Sequence, residues 1–332
     1  MKDIADDLGV SLMTVSKALR NHSDISEKTR HRVLKRMREL NYQPDWIARS
    51  MVTGRTYLVG LVLPDLMHSF FAEVAKGVAR KLQPLGYQVV ISDTGEDGDL
   101  ERSHVKVLIN RKVDGLIIAS AQRKGRLDLF EMLGANKIPY VLIDRMLPGA
   151  EANYVGVRDD EIGAMATEHL ISQGCRRVAH IRGPAVATGS GRLRGYRRAL
   201  ARHGLPLNSA YVTSGQYGDN TGYHAMRELL KTAPRPDGVF CYNDPVAAGA
   251  IKAVLEANLR VPEDIAIIGA GNVHYSDLLR VPLSTVDQSS SLIGENAAEL
   301  LFNCMDSRKA SPVRHILIPP RLVVRDSSRR KE

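Results

Sequence analysis

Two sets of residues in this chain have types and spacings that could do chemistry. The first lies in "DDLGVSLMTVSKALRN", residues 6–21. There Leu12, Met13, Ser16 and Lys17 are the outward residues of a short helix. Lys17 could donate to guanine O6 or N7, and Leu12 and Met13 could meet thymine methyls. Thr14, Ser16, Asn21 and Tyr42 suit phosphate contacts, which position a protein on a duplex without reading it. The second set is scattered: Phe70 and Phe71, Asp144 and Arg145, Thr188 to Arg192, Tyr217, Asn243 and Asp244, and Gly269 to Asn272. Aromatic faces, a carboxylate, an arginine and amides suit a small polyhydroxylated or planar ligand.

The first set needs a compact helical frame. Lys2 to Leu8 reads as one helix, with Ile4, Ala5 and Leu8 on one face. Gly9 allows a left-handed end, and Ser11 is a good cap for a second helix running to about Arg20. Val15, Ala18 and Leu19 share a face of it. Ser26 caps a third helix to about Leu40, with Val33, Leu34, Met37 and Leu40 at helical spacing. Small Ala5, turning Gly9 and core-closing Val15 at this spacing are a helix-turn-helix signature, whose second helix enters a major groove. Residues 1–43 form this head. Residues 1–55 hold 11 Lys and Arg against 7 Asp and Glu, a large share of the chain's net +9, which suits an anionic partner such as nucleic acid. Residues 44–56, "PDWIARSMVTGRT", form a linker whose "DWIARSM" could be a short helix that orders only against a partner.

The second set needs a scaffold that brings distant loops together. From Tyr57 onward, apolar runs such as "YLVGLVL", "DGLIIAS", "DGVFCYN" and "DIAIIGA" alternate with amphipathic helical stretches. That alternation indicates buried parallel sheets. Two such series predict an α/β core, residues 57–326, of two doubly wound subdomains. The first takes residues 57–156 and 288–317, the second 157–285 and 318–326. Ligands of such sheets bind beyond the carboxyl ends of strands, so two facing sheets make a cleft. An enzyme is disfavoured. No P-loop, HExxH or G-x-S-x-G is present, and "GSGRLRG" misses the dinucleotide spacing at Arg194. Three widely spaced cysteines form no CxxC, and no apolar run is long enough for a membrane span. No metal or cofactor is expected, and the location expected is the cytoplasm. A periplasmic receptor would share the two-lobed core, but here a basic head stands where a signal peptide would be.

Taken together, "IADDLGVSLMTVSKALRN", "ISEKTRHRVLKRMRELNYQPDWIARSM", "ATGSGRLRGY", "DGVFCYND" and "VPEDIAIIG" resemble the lac-repressor (LacI/GalR) family of bacterial transcription regulators over nearly the full chain. The resemblance implies a head domain on a core of the type I periplasmic-binding kind. It implies a homodimer that reads a palindromic DNA operator, with hinge helices ordering in the minor groove. Met51 matches the family's apolar wedge, Ala48 and Arg49 match its hinge, and Val52 departs from a commonly basic position. For a small-molecule effector the pattern carries over to Phe70, Phe71, Asp144, Thr188, Arg192, Tyr217 and Asn243. One departure stands out: Gly271 occupies a position that is commonly acidic in the family. With Arg192 kept and that acid lost, the effector expected is a sugar, a sugar acid or a related metabolite, with a sugar acid or other anionic metabolite favoured over a neutral sugar. The chain's last residues form no heptad tail, so a dimer is expected rather than a tail-joined tetramer.

Overall fold

The computed structural model describes residues 1–332 except 20–21, 41–49, 51–53, 123–125, 148, 215–219, 307–311 and 331–332. The chain divides into two units, Met1–Thr56 and Tyr57–Glu332.

In the first unit, α1 (Lys2–Leu8), α2 (Leu12–Leu19) and α3 (Glu27–Glu39) follow the expected order. Gly9 ends α1 at φ 65°, a left-handed conformation in which its N–H reaches back to Asp6 O at 3.3 Å. Ser11 Oγ accepts the N–H of Thr14 at 3.0 Å, and Ser26 Oγ accepts that of Thr29 at 3.3 Å. Each hydroxyl thereby satisfies a donor that a helix start leaves without a partner. Ile4, Ala5, Val15, Ala18 and Val33 bury together, with Leu8, Val10, Ile25 and Met37 packed around them. Leu34 and Leu40, expected on the buried face of α3, are 37% and 41% exposed. Val33 and Met37 lie one turn apart toward the core; Leu34 is rotated off that face and Leu40 lies past the helix end. Arg36 ties α3 to α1 by donating to Asp7 Oδ2.

The second unit holds two six-stranded sheets. The first contains β1 (Leu58–Leu63), β2 (Gln88–Asp93), β3 (Gly115–Ile118), β4 (Tyr140–Ile143), β5 (Asn153–Gly156) and β11 (His315–Leu317), ordered β11-β5-β4-β3-β1-β2 and parallel throughout. The second contains β6 (Val178–Arg182), β7 (Val212–Ser214), β8 (Gly238–Cys241), β9 (Ala266–Gly271), β10 (Ser284–Asp287) and β12 (Arg321–Val323). Its order is β12-β10-β9-β8-β6-β7, with only β12 antiparallel. Strands β3, β8 and β9 are buried along their whole length, as expected of parallel strands covered on both faces by helices.

Three helices position the cleft. α4 (Ser69–Leu82) follows β1, α7 (Asp159–Ser172) follows β5, and α8 (Ala187–Arg202) follows β6. α7 and α8 cross so closely that a Cβ on Gly163 would collide with the Arg192 carbonyl, and one on Gly195 with the Asp160 carbonyl. In "TGSGRLRG", Gly191 and Gly195 therefore serve the packing of these two helices, while Gly189 lies against the Pro184 carbonyl. The chain passes between the sheets after β5, after β10 and after β11.

Candidate functional site

In the head, the start of α2 presents Leu12 and Met13 to solvent, 49% and 61% exposed. Thr14 is held by Ser11, hydroxyl to hydroxyl at 2.9 Å. Ser16 is half-buried on the same helix. Lys17, expected to donate to a guanine, here donates to Asp24 Oδ2 at 2.5 Å, while His22 Nδ1 meets the other Asp24 oxygen at 2.8 Å. This ion pair is exposed, and such pairs contribute about 0–1 kcal/mol. Lys17 can therefore exchange Asp24 for a base edge at little cost. Asn21, Tyr42, Ala48, Arg49 and Met51 lie outside the described residues.

In the second unit a cavity of about 150 Å³ opens between the two sheets. Its lining follows strand ends: Asp65, His68, Phe70 and Phe71 after β1; Glu96 after β2; Asp144 and Arg145 after β4; Tyr242 and Asn243 after β8; Gln288 after β10. Of the residues expected from sequence, the cavity gathers Phe70, Phe71, Asp144, Arg145, Arg192 and Asn243. Tyr217 lies outside the described residues. Two expected residues lie off the lining. Thr188 is buried beside it, where its hydroxyl pairs with that of Tyr242 at 2.8 Å and so holds a lining residue. Gly271 is also off the lining, because β9 places it beside the buried Asp244 carboxylate. Asp244 accepts from the Thr285 and Ser276 hydroxyls and the Val273 N–H, at 2.6, 2.8 and 3.0 Å.

His68, Tyr242, Glu96 and Gln288 are lining residues that the sequence alone does not single out. His68 joins the two sides of the cleft. Its Nδ1 lies 3.3 Å from the Phe70 N–H at the start of α4, and its Nε2 lies 2.9 Å from Asn243 Nδ2. Asn243 in turn caps α10 (Asp244–Glu256), its Oδ1 accepting the Val246 N–H at 3.0 Å. Tyr242 lies beneath the Arg192 guanidinium, 4.7 Å from ring centroid to Cζ. Glu96 takes both terminal nitrogens of Arg145 at 2.5 and 2.6 Å. Gln288 accepts from Arg192 at 2.9 Å.

The charges pair within the protein. Arg192 is buried; it donates through Nε to Asp159 at 3.0 Å and to the Tyr242 carbonyl at 2.6 Å as well as to Gln288. Burial pushes Asp159 up to about 6, against the pull of Arg192. Asp144 sits at φ 60°, an unusual backbone for a residue other than glycine, and Tyr154 donates its hydroxyl to the Asp144 carbonyl. Burial raises the Asp144 pKa, opposed mainly by Arg145. Arg192 is thus paired with Asp159 inside the protein.

Burial pushes His68 down to about 4 from an ordinary 6.5. The unfolded chain therefore takes up this proton first as pH falls. His68's contribution to stability is complete above pH 6.5 and is lost as pH falls from there toward 4. Asp159 acts oppositely, because its folded pKa of about 6 exceeds the model-peptide 3.8. Comparison of wild type with His68→Gln separates the two. Denaturant unfolding at about pH 7.5 and 4.5 should show the wild type losing roughly 2 kcal/mol more than the variant. Equal losses would show that His68 takes up its proton in the folded protein as readily as in the unfolded one.

Comparisons with known proteins match both units. Residues 1–45 fit the model of bacterial regulatory proteins of the lacI family, and residues 167–328 fit a periplasmic binding protein-like domain. The HTH-type transcriptional repressor PurR of Mannheimia succiniciproducens is 31% identical over 329 residues, covering 98% of each chain. The ribose operon repressor of Halalkalibacterium halodurans is 32% identical over 335 residues, covering 99% of this chain and 97% of its own. Among solved structures, a lac repressor dimer bound to operator and the anti-inducer ONPF has a TM-score of 0.85 at 25% identity, covering 98% of each chain. The regulator CelR in complex with cellobiose has a TM-score of 0.74 at 30% identity, again covering 98% of each.

Proposed function

Since the chain belongs to the lacI family of bacterial transcriptional repressors, we propose that it binds a palindromic operator as a homodimer under the control of a small molecule in the cleft. It is a regulator and not an enzyme. The observation that carries the reading is the start of α2, where Leu12 and Met13 stand exposed beside Lys17 on a helix whose opposite face closes the head core. In this reading Leu12, Met13 and Lys17 meet base edges, and Thr14, Ser16, Asn21 and Tyr42 grip phosphates. Ala48, Arg49 and Met51 belong to a hinge in the minor groove, where an apolar wedge kinks the duplex.

Dimerisation has its own support. β2 is an edge strand with Ile91 45% exposed. Beside it α5 (Gly98–Asn110) presents Leu100 and Val107, two turns apart, at 41% and 47% exposure. Ser92 of β2 and His104 of α5 are joined at 2.8 Å, so the three apolar side chains belong to neighbouring elements. A second copy covering this surface would bury an otherwise wetted apolar face and protect the strand edge. The effector role is supported by the cleft contacts that cross between sheets, His68 to Asn243 and the His274 N–H to Glu73 Oε1 at 3.0 Å. A molecule seated between these contacts changes the spacing of the two sheets, and through it the hinge. The proposed place of action is the cytoplasm, where the operator is; no described helix is long and apolar enough to cross a membrane.

Selection of bound duplexes from a random library by the full chain, at moderate salt, tests the reading. Recovery of an inverted repeat supports paired heads. Recovery of no enriched sequence, or of a single half-site, would contradict the dimeric operator.

A further inference from the structure

We infer that Asp24 is a positioning residue for DNA reading: it restrains the Lys17 ammonium, so that this charge serves a guanine edge in one register and not phosphates at large. The inference rests on reading α2 as the recognition helix. Its basis is the three-residue contact that Asp24 makes beside that helix.

Lys17 lies in the last turn of α2, and Asp24 lies in the turn that leads to α3. Lys17 Nζ donates to Asp24 Oδ2 at 2.5 Å. His22 Nδ1 lies 2.8 Å from Asp24 Oδ1 and is the donor there, because an ionised carboxylate only accepts. Each carboxylate oxygen thus has its own partner. The Lys17 hydrogen bond, with a smaller contribution from that of His22, holds the Asp24 carboxyl below its usual range. The turn itself is fixed on both sides. Arg30 of α3 donates to the His22 and Ile25 carbonyls at 3.1 and 3.5 Å, and Ile25 packs against the head core. On the other side the His22 N–H reaches the Lys17 carbonyl at 3.1 Å. Asp24 therefore stands at a set place beside α2, and the flexible stem of Lys17 is tied to it.

An exposed pair of this kind adds little to stability, so its consequence lies in binding. An ammonium has three N–H donors. Asp24 takes one, and guanine O6 and N7 are two neighbouring acceptors. Lys17 can therefore meet a guanine without leaving Asp24. A lysine without such a tether is a flexible point charge that follows phosphates in any register, and it contributes equally on every sequence. Tied to Asp24, the ammonium cannot follow the backbone, and the carboxylate beside it repels phosphates. Binding to unmatched DNA is weakened while the matched base keeps its contact. Discrimination then rises from a built-in repulsive element as well as from the attractive one.

The experiment measures binding of the full-length protein by fluorescence anisotropy across a salt series. The duplexes are the sequence it selects from a random library, that sequence with one G·C pair changed, and an unrelated sequence. The changed pair is the one at which Lys17→Ala no longer discriminates. For the wild type the change should weaken binding about tenfold or more. In Asp24→Asn that factor should fall to about threefold or less, while binding to the unrelated duplex tightens and its salt dependence steepens by about one phosphate contact. Asp24→Glu, which keeps the charge, should recover most of the discrimination. In a Lys17→Ala background, Asp24→Asn should change neither quantity. An Asp24→Asn protein with wild-type discrimination and salt dependence overturns the inference and leaves α2 as the reading helix. So does an equal effect with and without Lys17, or a Lys17→Ala protein that keeps discrimination at every G·C pair. Weaker binding to all the duplexes with a flatter salt dependence would mean a structural role for Asp24 and also overturns it. A wild type that selects no sequence contradicts the reading of α2 and the inference together.

Discussion

Arg192→Ala should destabilise the second unit by roughly 3–5 kcal/mol, the range for breaking a buried ion pair from one side. The substitution removes three contacts at once, to Asp159, the Tyr242 carbonyl and Gln288. It also strands Asp159 in a buried site that already lifts its carboxyl to about 6. Without Arg192 that carboxyl has lost the partner that held it down, and it should take up a proton near neutral pH. For a unit of this size the loss corresponds to a fall in melting temperature on the order of 10 °C. Asp159→Asn in the same chain should recover part of it, because the uncompensated charge is then gone. A single variant within about 1 kcal/mol of wild type would mean that the pair is not the neutral unit described.

Val15→Asp should abolish specific DNA recognition while leaving cleft binding intact. Val15 is fully buried in a small head core, in which five residues are buried among the described ones. A carboxylate there has no counter-charge among those neighbours and costs more than so small a core can absorb. The head helices have 7, 8 and 13 residues, lengths that are marginal without tertiary packing. Loss of the head removes the margin of specific over non-specific binding, which for such proteins is about 10³ or more. Ligand titration should match wild type, because residues 57–332 form a separate unit. A variant that still discriminates its operator would refute the placement of recognition in α2.

The two units differ in how far they were legible in the sequence. Head helices follow from local chemistry: Gly9, Ser11 and Ser26 mark their ends, and the structure places caps at all three. The strands were equally plain, since Val- and Ile-rich runs between helices have few alternatives. The cleft was harder. Arg192 and Asp144 were visible as charged residues near strand ends, but their partners lie far away in sequence. Glu96 is 49 residues from Arg145, and Gln288 is 96 from Arg192. The signal that could have found Glu96, Tyr242 and Gln288 was their place just after β2, β8 and β10, the rule that found the others. His68 was missed because histidine is an uncommon helix cap, and its role is set by Asn243 on the opposite sheet. Thr188 and Gly271 lie near the cleft but off its lining, because a strand end predicts nearness to the cleft and cannot say which side chain reaches it. The pairing of Arg145 with Glu96 and of Arg192 with Asp159 is a property of the tertiary structure alone.

If the cleft governs the grip on DNA, a ligand bound there changes operator affinity. Titration of the full-length protein onto its selected operator, with and without a saturating amount of a sugar or sugar acid shown by calorimetry to bind the second unit, measures this coupling. The account predicts a shift in operator affinity of about 5- to 150-fold, corresponding to a coupling of about 1–3 kcal/mol, and no shift in Asp144→Asn at the same ligand concentration. Identical operator affinity with and without bound ligand in the wild type would contradict it.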